Sequence, residues 1–538
     1  MPRTLPANAT IPIIALLLFL ATLALFSRTA GYDFVSYDDP LFITANQQVQ
    51  SGLTWQGLKW ALTTGIDGNW IPVTWLSHMV AVQLFGDQPA AHHLINTLLH
   101  AVNAVLLFLL LNKISDAPLR SAAVAAIFAL HPLRVESVAW VAERKDVLSG
   151  LFLLLTILAY LLARERSGRG VTGTVIVWLL LALMAKPIAV TIPFLIVILE
   201  YWQKPGQGTN NLPAASPIDH RVVMDAVTLL AVAAPVMVIT VLFQADVRAV
   251  TDVGWHGIPE TLANVLAGYA EYLRLFFHPT GLAVFYPFTG DISVSRWGGG
   301  LILLIATTAA LFRQRRIRPY LAVGWGWYLV TLLPVSGIVP VGAQSHADRY
   351  SYIPLIGVTI STVWGWYDLT TRFRQGRLIA AASLAVAIAA CTLATSSQLP
   401  VWRESVTLYE HALKVTKGNW LAHNNLAAVF IQQDRLADAE RHLRAALAIR
   451  PGYAKAYANL GLVASRQGRH REAIGLYVEA IAHMPYRDSE MYRALAEEFA
   501  AASLPDGTAA TLREMETFDP EGARNLRQRL TEAGLTGR

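Results

Sequence analysis

The segment TIPIIALLLFLATLALFSRTAGYDFVSYDDPLFITANQQ, residues 10–48, joins an apolar run to an acidic and aromatic loop. The apolar run approaches the length that a membrane-spanning helix needs, and Ser27-Arg28-Thr29 behind it is a poor cleavage motif, so we expect an uncleaved first span. The loop carries adjacent carboxylates, Asp38 and Asp39, where the chain leaves the bilayer. Charges beside a membrane are costly unless they have a function, so the pair indicates a site on one side of the membrane.

The composition places the chain among integral membrane proteins. Of its 538 residues, 54% are hydrophobic and only 15% are charged, too few to cover the surface of a soluble fold. The long apolar runs lie between residues 10 and 396, whereas the chain from Pro400 onward is charged and alanine-rich. We therefore predict a multi-span membrane domain over residues 1–398 and a soluble domain over residues 399–538.

Long apolar segments recur throughout the predicted membrane domain. A spanning helix needs about 20 mostly apolar residues, and the sequence offers about eleven such segments. We predict spans at residues 10–27, 93–112, 120–138, 146–163, 172–186, 187–202, 222–243, 297–312, 319–334, 352–368 and 378–396. The predicted fold class is therefore all-α, a polytopic membrane helical bundle.

Short loops rich in Lys and Arg mark the cytoplasmic face of such a bundle. They carry Lys113, Arg120, Arg164, Arg166, Arg169, Lys204, Arg221, Arg313–Arg318, Arg372, Arg374 and Arg377. This pattern predicts a cytoplasmic N-terminus and places the C-terminal domain on the periplasmic or extracytoplasmic side of an inner or plasma membrane. It also accounts for the net charge of +6, and no basic helix supports nucleic acid as a partner.

Two large external loops are predicted, over residues 28–92 and 244–296. Residues 262–277 in the second loop, LANVLAGYAEYLRLFF, are interpreted as an interfacial or re-entrant helix. A full span there would move the arginine cluster at residues 313–318 to the outside, against the charge rule. Every unusual polar cluster of the chain then faces the same, non-cytosolic side.

The C-terminal domain repeats itself at an offset of 34 residues. The matched pairs are Asn425 with Asn459, Leu426 with Leu460, Ala439 with Ala473, Ala446 with Ala480, and Pro451 with Pro485. This period, with small residues where two helices cross, is the tetratricopeptide pattern. We predict an α-solenoid with two full repeats, about 420–453 and 454–487, between a half-repeat and a degenerate capping stretch. Such arrays bind proteins along a concave face, so a protein partner is predicted.

The membrane domain lacks the motifs of nucleotide-dependent and hydrolytic enzymes. The sequence contains no Gly-rich phosphate loop, no HExxH, no GxSxG and no dinucleotide fingerprint. A soluble nucleotide donor is therefore poorly supported. A substrate delivered through the lipid phase fits a site that external loops build at the membrane surface.

Asp38 and Asp39 have two interpretations. Asp-Asp-Pro followed by Asn46 is favourable turn and N-cap chemistry, so the pair could be structural. In the functional interpretation, one carboxylate is the general base for an acceptor hydroxyl, and the other positions the acceptor or a divalent cation. The sequence does not decide which of the two acids would be the base.

The segment HPLRVESVAWVAERKDVLSG, residues 131–150, places charged side chains between two spans. They could form an ordinary juxtamembrane loop of ion pairs and snorkelling side chains. Alternatively, the cations of Arg144 or Lys145 bind an anionic lipid-phosphate headgroup. Glu143 or Asp146 would then orient those cations.

Two further segments bring charges to the same face. Lys186 lies at a Met-Ala-Lys-Pro break between short apolar segments, where a cation needs a negative partner that an anionic ligand could supply. Residues 344–352, QSHADRYSY, precede a later span and offer His346, Asp348 and Arg349, either for capping or for function.

Histidines at helical spacing raise the question of a metal. His92, His93 and His100 share a stretch with Asn96 but with no carboxylate, so we expect interhelical hydrogen bonds and no metal site. The single cysteine, Cys391, excludes an intrachain disulfide and a Cys-based zinc site.

In their order, these segments resemble the transmembrane-and-tetratricopeptide O-mannosyltransferase family of C-type glycosyltransferases. The resemblance rests on Tyr37-Asp38-Asp39, Pro72-x-Thr74, His93-x-x-Asn96-x-x-x-His100, His131-Pro132, Arg144-x-Asp146, Lys186, Ala347-Asp348-Arg349-x-x-Tyr352-x-Pro354-x-x-Gly357 and the repeats. No single motif is specific, but the ordered set covers nearly the whole chain. The resemblance implies a C-type glycosyltransferase fold that moves sugar from a polyprenyl-phosphate carrier to protein hydroxyls outside the cytosol.

The resemblance also implies that the first-loop acids, Asp38 and Asp39, are the catalytic pair. The residues expected to bind the donor phosphate are Arg144, Lys145, Lys186 and Arg349. Supporting roles are expected of Glu143, Asp146, His93, His131, His346 and Asp348. No cofactor is required by this scheme, and a divalent cation stays an option.

The sequence departs from the family pattern at three points. Ile71 stands where an arginine is usual before the first-loop proline, and Pro187 stands where an acid tends to follow the lysine. The tail also has far fewer repeats than the animal members. These departures leave open the sugar, mannose or another hexose, and the acceptor, a protein or a glycan.

Two functions of other classes stay open. A non-catalytic membrane scaffold would recruit envelope proteins through its repeats. A transporter would need polar groups at mid-span, whereas the polar clusters here gather on one face. Complementation with a mutant lacking both Asp38 and Asp39, compared with a tail deletion, separates the enzyme from the scaffold.

Overall fold

The computed structural model describes residues 7–66, 68–202, 219–246, 257–288, 290, 292–338, 342–533 and 535. Lys204 and parts of the predicted loops 28–92 and 244–296 lie outside the described residues. Within those ranges the regular secondary structure is helical and there is no strand; Ile66 and Asn69 form an isolated bridge. The predicted all-α class is confirmed.

The structure consists of two compact units. The membrane unit comprises Met1–Val284 and Phe288–Thr407, and the repeat unit comprises Phe285–Pro287 and Leu408–Arg538. The domain boundaries predicted from the sequence, 1–398 and 399–538, stay predictions.

The membrane unit contains sixteen α-helices in its described part. They are α1 (Ala7–Phe26), α2 (Gln47–Gln50), α3 (Trp55–Thr63), α4 (Pro72–Phe85), α5 (Pro89–Ser115), α6 (Pro118–Leu130), α7 (Val135–Ala139), α8 (Arg144–Ser167), α9 (Gly173–Ala185), α10 (Ile192–Glu200), α11 (His220–Asp246), α12 (Ile258–Phe277), α13 (Val294–Gln314), α14 (Pro319–Leu332), α15 (Pro354–Thr370) and α16 (Gly376–Gln398). Proline begins α4, α5, α6, α14 and α15. It suits the first turn of a helix, where its missing N–H has no partner to lose.

By length and composition, six helical segments are apolar enough to cross a membrane. They are Thr10–Gly31, Pro89–Ser115, Val141–Ser167, His220–Gln244, Val294–Gln314 and Gly376–Trp402. Pro118–Leu130 and Pro132–Ala139, which meet at a bend of 58°, pass the same test when taken together. Three shorter apolar helices are Gly173–Ala185, Pro187–Glu200 and Pro319–Val335. Each predicted span contains a helix, although the span predicted at 120–138 is divided by the bend after Leu130 and the span predicted at 187–202 begins with a 3-10 turn. The helical bundle is confirmed, and the number of spans stays a prediction.

Polar and apolar side chains are distributed as in a membrane bundle. Asn96 and His100 of α5 are 0% exposed, whereas Leu17 of α1 and Ile302 of α13 are 61% and 70% exposed. Apolar side chains that point outward along whole helices suit contact with lipid. The segment 131–150 is buried throughout, so it is not an ordinary juxtamembrane loop.

Helix α12 is amphipathic. Its buried residues Val265, Tyr269 and Tyr272 recur every three or four positions and lie on one face. The helix is not among the segments apolar enough to cross a membrane. The interpretation of residues 262–277 as an interfacial helix agrees with this pattern, and its position in an external loop stays a prediction.

The C-terminal helices follow the predicted repeat. They are α17 (Ser405–Val415), α18 (Trp420–Gln432), α19 (Leu436–Ile449), α20 (Ala454–Arg466), α21 (His470–His483), α22 (Ser489–Ala501), α23 (Pro505–Glu516) and α24 (Pro520–Glu532). The small residues Ala439, Ala446, Ala473 and Ala480 are all 0% exposed, as helix crossings require. The tetratricopeptide solenoid is confirmed. The stretch predicted as a degenerate cap contains a further helical pair, α22 and α23, followed by α24.

Candidate active site

The first-loop acids lie at a tight turn. Asp39 directly precedes the π-helical turn Pro40–Thr44, and the Phe42 N–H donates to the Asp38 carbonyl at 2.8 Å. Asp39 is 0% exposed, whereas Asp38 is half-buried. The two neighbouring carboxylates therefore have different environments.

Asp39 connects the first loop to the 3-10 turn Val141–Glu143. Its Oδ2 accepts a hydrogen bond from the Val35 N–H at 2.9 Å, and its Oδ1 accepts one from the Ala142 N–H at 2.8 Å. Burial raises the pKa of Asp39 to about 7, although the two backbone N–H groups act in the opposite direction. Both carboxylate oxygens are thus engaged by the protein, and Asp38 is the acid with exposed surface.

Glu143 is the centre of a buried group of charges. Its carboxylate lies 3.0 Å from Lys145 Nζ, 3.2 Å from Arg349 Nε and 3.6 Å from Lys186 Nζ. The Glu143 side chain is only 1% exposed. One carboxylate among three cations leaves an excess of positive charge that needs further acids.

Asp146 and Glu136 supply the missing negative charge. Asp146 forms an ion pair with Lys186 and accepts a hydrogen bond from Ser137 Oγ at 2.9 Å. Glu136 forms an ion pair with Arg349 and accepts the Arg349 backbone N–H at 2.9 Å. We call the resulting set of three cations and three carboxylates the charged cluster: Lys145, Lys186, Arg349, Glu136, Glu143 and Asp146.

Aromatic rings connect the first loop to the charged cluster. The centroid of the Tyr37 ring lies 5.1 Å from that of Trp140, and the Arg349 guanidinium lies 5.4 Å from the Trp140 ring. Lys145 Nζ lies 5.0 Å from the Phe42 ring. Because Tyr37 and Phe42 flank the acidic pair in the sequence, these contacts connect the turn that carries the pair to Lys145 and, through Trp140, to Arg349.

Arg144 points away from the charged cluster. Its Nε donates to Asn96 Oδ1 at 2.9 Å, its Nη1 to the Ser77 carbonyl at 3.2 Å and its Nη2 to the His92 carbonyl at 3.1 Å. The residue is 0% exposed and ties α8 to α4 and α5. The structure therefore brings together three of the four cations predicted to bind phosphate and separates Arg144 from them.

Two of the predicted supporting histidines make structural contacts. His131 Nε2 lies 3.0 Å from the Phe276 carbonyl, and its Nδ1 accepts the Leu133 N–H at 3.2 Å. His131 thus caps the turn that follows α6. His93 Nε2 lies 3.4 Å from the Asp33 carbonyl and connects α5 to the first loop.

His346 and Asp348 belong to the loop that carries Arg349. Burial lowers the pKa of His346 to about 4, so its ring is neutral, and its Nδ1 lies 2.9 Å from Ser345 Oγ. Asp348 begins the 3-10 turn Asp348–Ser351 and is 4% exposed. Across the described part of the chain, no group of three or more His, Cys, Asp or Glu residues could hold a metal ion.

The sequence prediction missed two residues near the site. Glu136 was visible in the segment 131–150, but nothing in the spacing showed that it would pair with Arg349. His78 of α4 is 0% exposed, and its ring stacks on His92 at a centroid distance of 6.4 Å. It follows Thr74, part of the Pro72-x-Thr74 motif, by one helical turn.

The structure also contains a cavity of about 420 Å³ between α12, α13, α14 and α15. Its lining is mostly apolar, and its one charged residue, Arg274, pairs with Glu271. No member of the charged cluster lines it. Chemistry therefore favours the charged cluster over the cavity as the candidate active site.

The comparisons with known proteins agree with the two-part organisation. Residues 419–485 match the family model described as Tetratricopeptide repeat. The chain is 23% identical to "Protein O-mannosyl-transferase TMTC3" of Mus musculus over 460 residues, which cover 77% of this chain and 48% of the relative. It is 25% identical to "Protein O-mannosyl-transferase TMTC4" of Homo sapiens over 465 residues, which cover 74% and 61%.

A shorter match has higher identity. "Protein O-mannosyl-transferase Tmtc2" of Drosophila melanogaster is 36% identical over 154 residues, or 27% of this chain and 16% of the relative. The chain spans about half the length of the curated relatives it matches. The predicted resemblance to these O-mannosyl-transferases is confirmed, and the apolar helices identify an integral membrane protein.

Proposed function

We propose that the protein is a membrane glycosyltransferase. It moves a sugar, a mannose-like hexose, from a polyprenyl-phosphate carrier to a hydroxyl of a protein or glycan on the non-cytosolic face. The observation that carries this proposal is the contact between the residues flanking Asp38 and Asp39 and the charged cluster: Lys145 Nζ lies 5.0 Å from the Phe42 ring, and Tyr37 and Arg349 both lie against Trp140. The similarity to proteins named O-mannosyl-transferases supports the reaction class.

The three cations of the charged cluster suit a lipid phosphate. Lys145 lies in the first turn of α8, Lys186 lies at the break before α10, and Arg349 lies in a separate turn, so they approach Glu143 from three elements. Arginine offers a forked set of donors that matches phosphate, and lysine adds point charges. The phosphate displaces Glu143 as their common anionic partner.

The proposed reaction uses Asp38 as the general base. The Asp38 carboxylate accepts the proton of the acceptor hydroxyl, and the hydroxyl oxygen attacks the anomeric carbon of the sugar. The bond between that carbon and the phosphate oxygen breaks, and the carrier phosphate leaves with the electron pair. The phosphate gains negative charge as it leaves, and Lys145, Lys186 and Arg349 stabilise that charge.

Asp39 has a different task in this scheme. Its two oxygens accept the N–H groups of Val35 and Ala142, so it fixes the turn on which Asp38 is carried. A base must be held within hydrogen-bond reach of the proton that it removes. Asp39 is therefore a positioning residue.

The repeats serve the same proposal as a binding module. The helical pairs α18–α19, α20–α21 and α22–α23 form a solenoid, which is a scaffold for binding the acceptor protein or a partner. The same helical pairs would also suit a non-catalytic membrane scaffold, which is the second candidate function. A scaffold would bind its partner with no transfer of sugar.

A transfer assay tests the proposed function. Membranes that contain the protein are mixed with a panel of radiolabelled polyprenyl-phosphate hexoses, and label in protein is counted against membranes that lack the chain. We expect transfer from one member of the panel, with inhibition by unlabelled polyprenyl phosphate and not by polyprenol. Absence of transfer from every carrier, with binding of a partner intact, would support the scaffold instead.

A further inference from the structure

His78 is an anomalous side chain in the interior next to the charged cluster. It is 0% exposed, and within the described ranges neither of its ring nitrogens has a hydrogen-bond partner. A buried polar group that makes no hydrogen bond destabilises the fold, whereas an apolar ring of similar shape would not. The packing of α4 therefore does not explain why this position is a histidine.

The surroundings of His78 are positive. Burial lowers the pKa of His78 well below its ordinary value, and Arg144 and Lys145 act electrostatically on the ring in the same direction. The neutral ring has one N–H donor and one nitrogen acceptor. A cationic ligand is repelled by these neighbours, while an anionic or oxygen-rich ligand is attracted.

A second orphaned group lies one helical turn earlier on α4. Trp75 Nε1 is buried without a hydrogen-bond partner among the described residues. The Trp75 ring lies 4.6 Å from the ring of Phe42, which in turn lies 5.0 Å from Lys145 Nζ. Two polar groups without partners thus lie on the helix that packs beside the first-loop turn.

We propose that the His78 imidazole binds an oxygen of the phospho-sugar headgroup of the donor, next to Lys145. This inference rests on the proposed function and names a residue of its donor site. Binding at His78 breaks no hydrogen bond within the protein, whereas a phosphate that binds Lys145 must displace Glu143. The ring has no exposed surface, so side chains around it move when the headgroup enters.

His131 provides a matched comparison. It is also almost fully buried, at 2% exposed, but both of its ring nitrogens have partners, the Phe276 carbonyl and the Leu133 N–H. Replacement of His131 by phenylalanine leaves those two backbone groups unpaired. Replacement of His78 by phenylalanine leaves no described protein group unpaired.

The first experiment compares thermal unfolding of the purified full chain. We expect His78→Phe to unfold at or above the wild-type midpoint and His131→Phe to unfold several degrees lower, because only the second change orphans backbone groups. If His78→Phe loses as much as His131→Phe, the imidazole has a structural role and the inference is wrong.

The second experiment measures recognition of the donor. With polyprenyl-phosphate mannose as the probe, His78→Phe should raise the KM for the donor about tenfold with a smaller change in kcat, and His78→Gln should recover part of the loss. An unchanged KM in a stable His78→Phe protein overturns the inference.

A binding measurement separates this inference from the proposed function. Polyprenyl-phosphate mannose and polyprenyl phosphate are each added, and the rise in unfolding midpoint is recorded for wild type and His78→Phe. A smaller rise in the variant with both probes assigns the contact to the phosphate, and with the mannose probe alone to the sugar. Equal rises in wild type and His78→Phe would contradict the His78 contact and leave the proposed transferase unaffected. A rise in wild type without any sugar transfer would contradict the transferase and leave the contact unaffected. No rise in wild type with either probe would contradict both.

Discussion

Lys186→Met tests whether the charged cluster is balanced internally. Lys186 forms an ion pair with Asp146 and lies 3.6 Å from Glu143, and the side chains of these acids are 5% and 1% exposed. At an effective dielectric constant of about 20, the attraction across 3.6 Å is about 5 kcal/mol. Methionine fills the space without the charge, so two buried acids lose a cation, and we expect the free energy of unfolding to fall by about 3–5 kcal/mol.

The measurement is thermal unfolding of the purified full chain, followed by tryptophan fluorescence. Lys113→Met is the matched control, because Lys113 also contacts a carboxylate, that of Glu165, but the two side chains are 27% and 64% exposed. Solvent screens such an exposed pair, so its loss should change stability far less than the loss of Lys186. Adding Asp146→Asn to Lys186→Met removes the unpaired charge and should restore part of the lost stability.

Two results would refute this reasoning. One is a Lys186→Met protein that unfolds with the midpoint of Lys113→Met. The other is a double variant, Lys186→Met with Asp146→Asn, that is less stable than Lys186→Met alone. Either result would show that the cluster is not the balanced network that its distances indicate.

Two further predictions concern the first loop and the repeats. Because burial raises the pKa of Asp39 to about 7, its contribution to stability is complete below about pH 4 and is lost as the pH rises through about 7. The unfolding midpoint of wild type should therefore fall relative to Asp39→Asn between about pH 5 and pH 8; a constant gap contradicts this. In α21, Ala473→Leu should destabilise the repeats by about 1–3 kcal/mol, because Ala473 is 0% exposed at a helix crossing. Gly475→Ala is the control: a Cβ there meets open space, so it should stabilise the repeats by about 0.5–1 kcal/mol. Both changes are measured by hydrogen exchange of the α21 peptides. Equal protection in the two variants would contradict the packing.

The fold was predictable because its signals are local. A long apolar run such as residues 10–27 indicates a span by its length alone. The matches of Ala439 with Ala473 and of Ala446 with Ala480 predict the repeat, because each helical pair needs small residues at the same crossing. The further pair α22 and α23 was missed because its sequence departs from the repeat while its helices do not.

The site was only partly predictable because side-chain direction depends on tertiary packing. Arg144 and Lys145 are neighbours in the sequence, yet successive residues of a helix point about 100° apart. One therefore faces α4 and α5 while the other faces Glu143. Asp38 and Asp39 likewise look equivalent in the sequence, and what distinguishes Asp39 is its burial and the N–H groups of Val35 and Ala142, the second of them distant in the chain. His78 was missed because no pattern in the sequence distinguishes it from the usual buried histidine, whose ring nitrogens have hydrogen-bond partners.

The most direct test of the central claim is the rate of sugar transfer by Asp38→Asn beside that of Asp33→Asn. Asp33 is an exposed acid of the same loop, five residues earlier in the chain, so its variant controls for loss of charge. With radiolabelled polyprenyl-phosphate mannose, the account predicts that Asp38→Asn loses about 100-fold or more of the transfer rate, as expected for a missing general base. It predicts near wild-type rates for Asp33→Asn and an unchanged unfolding midpoint for both. Transfer by Asp38→Asn at the rate of Asp33→Asn would contradict the assignment of Asp38 as the base.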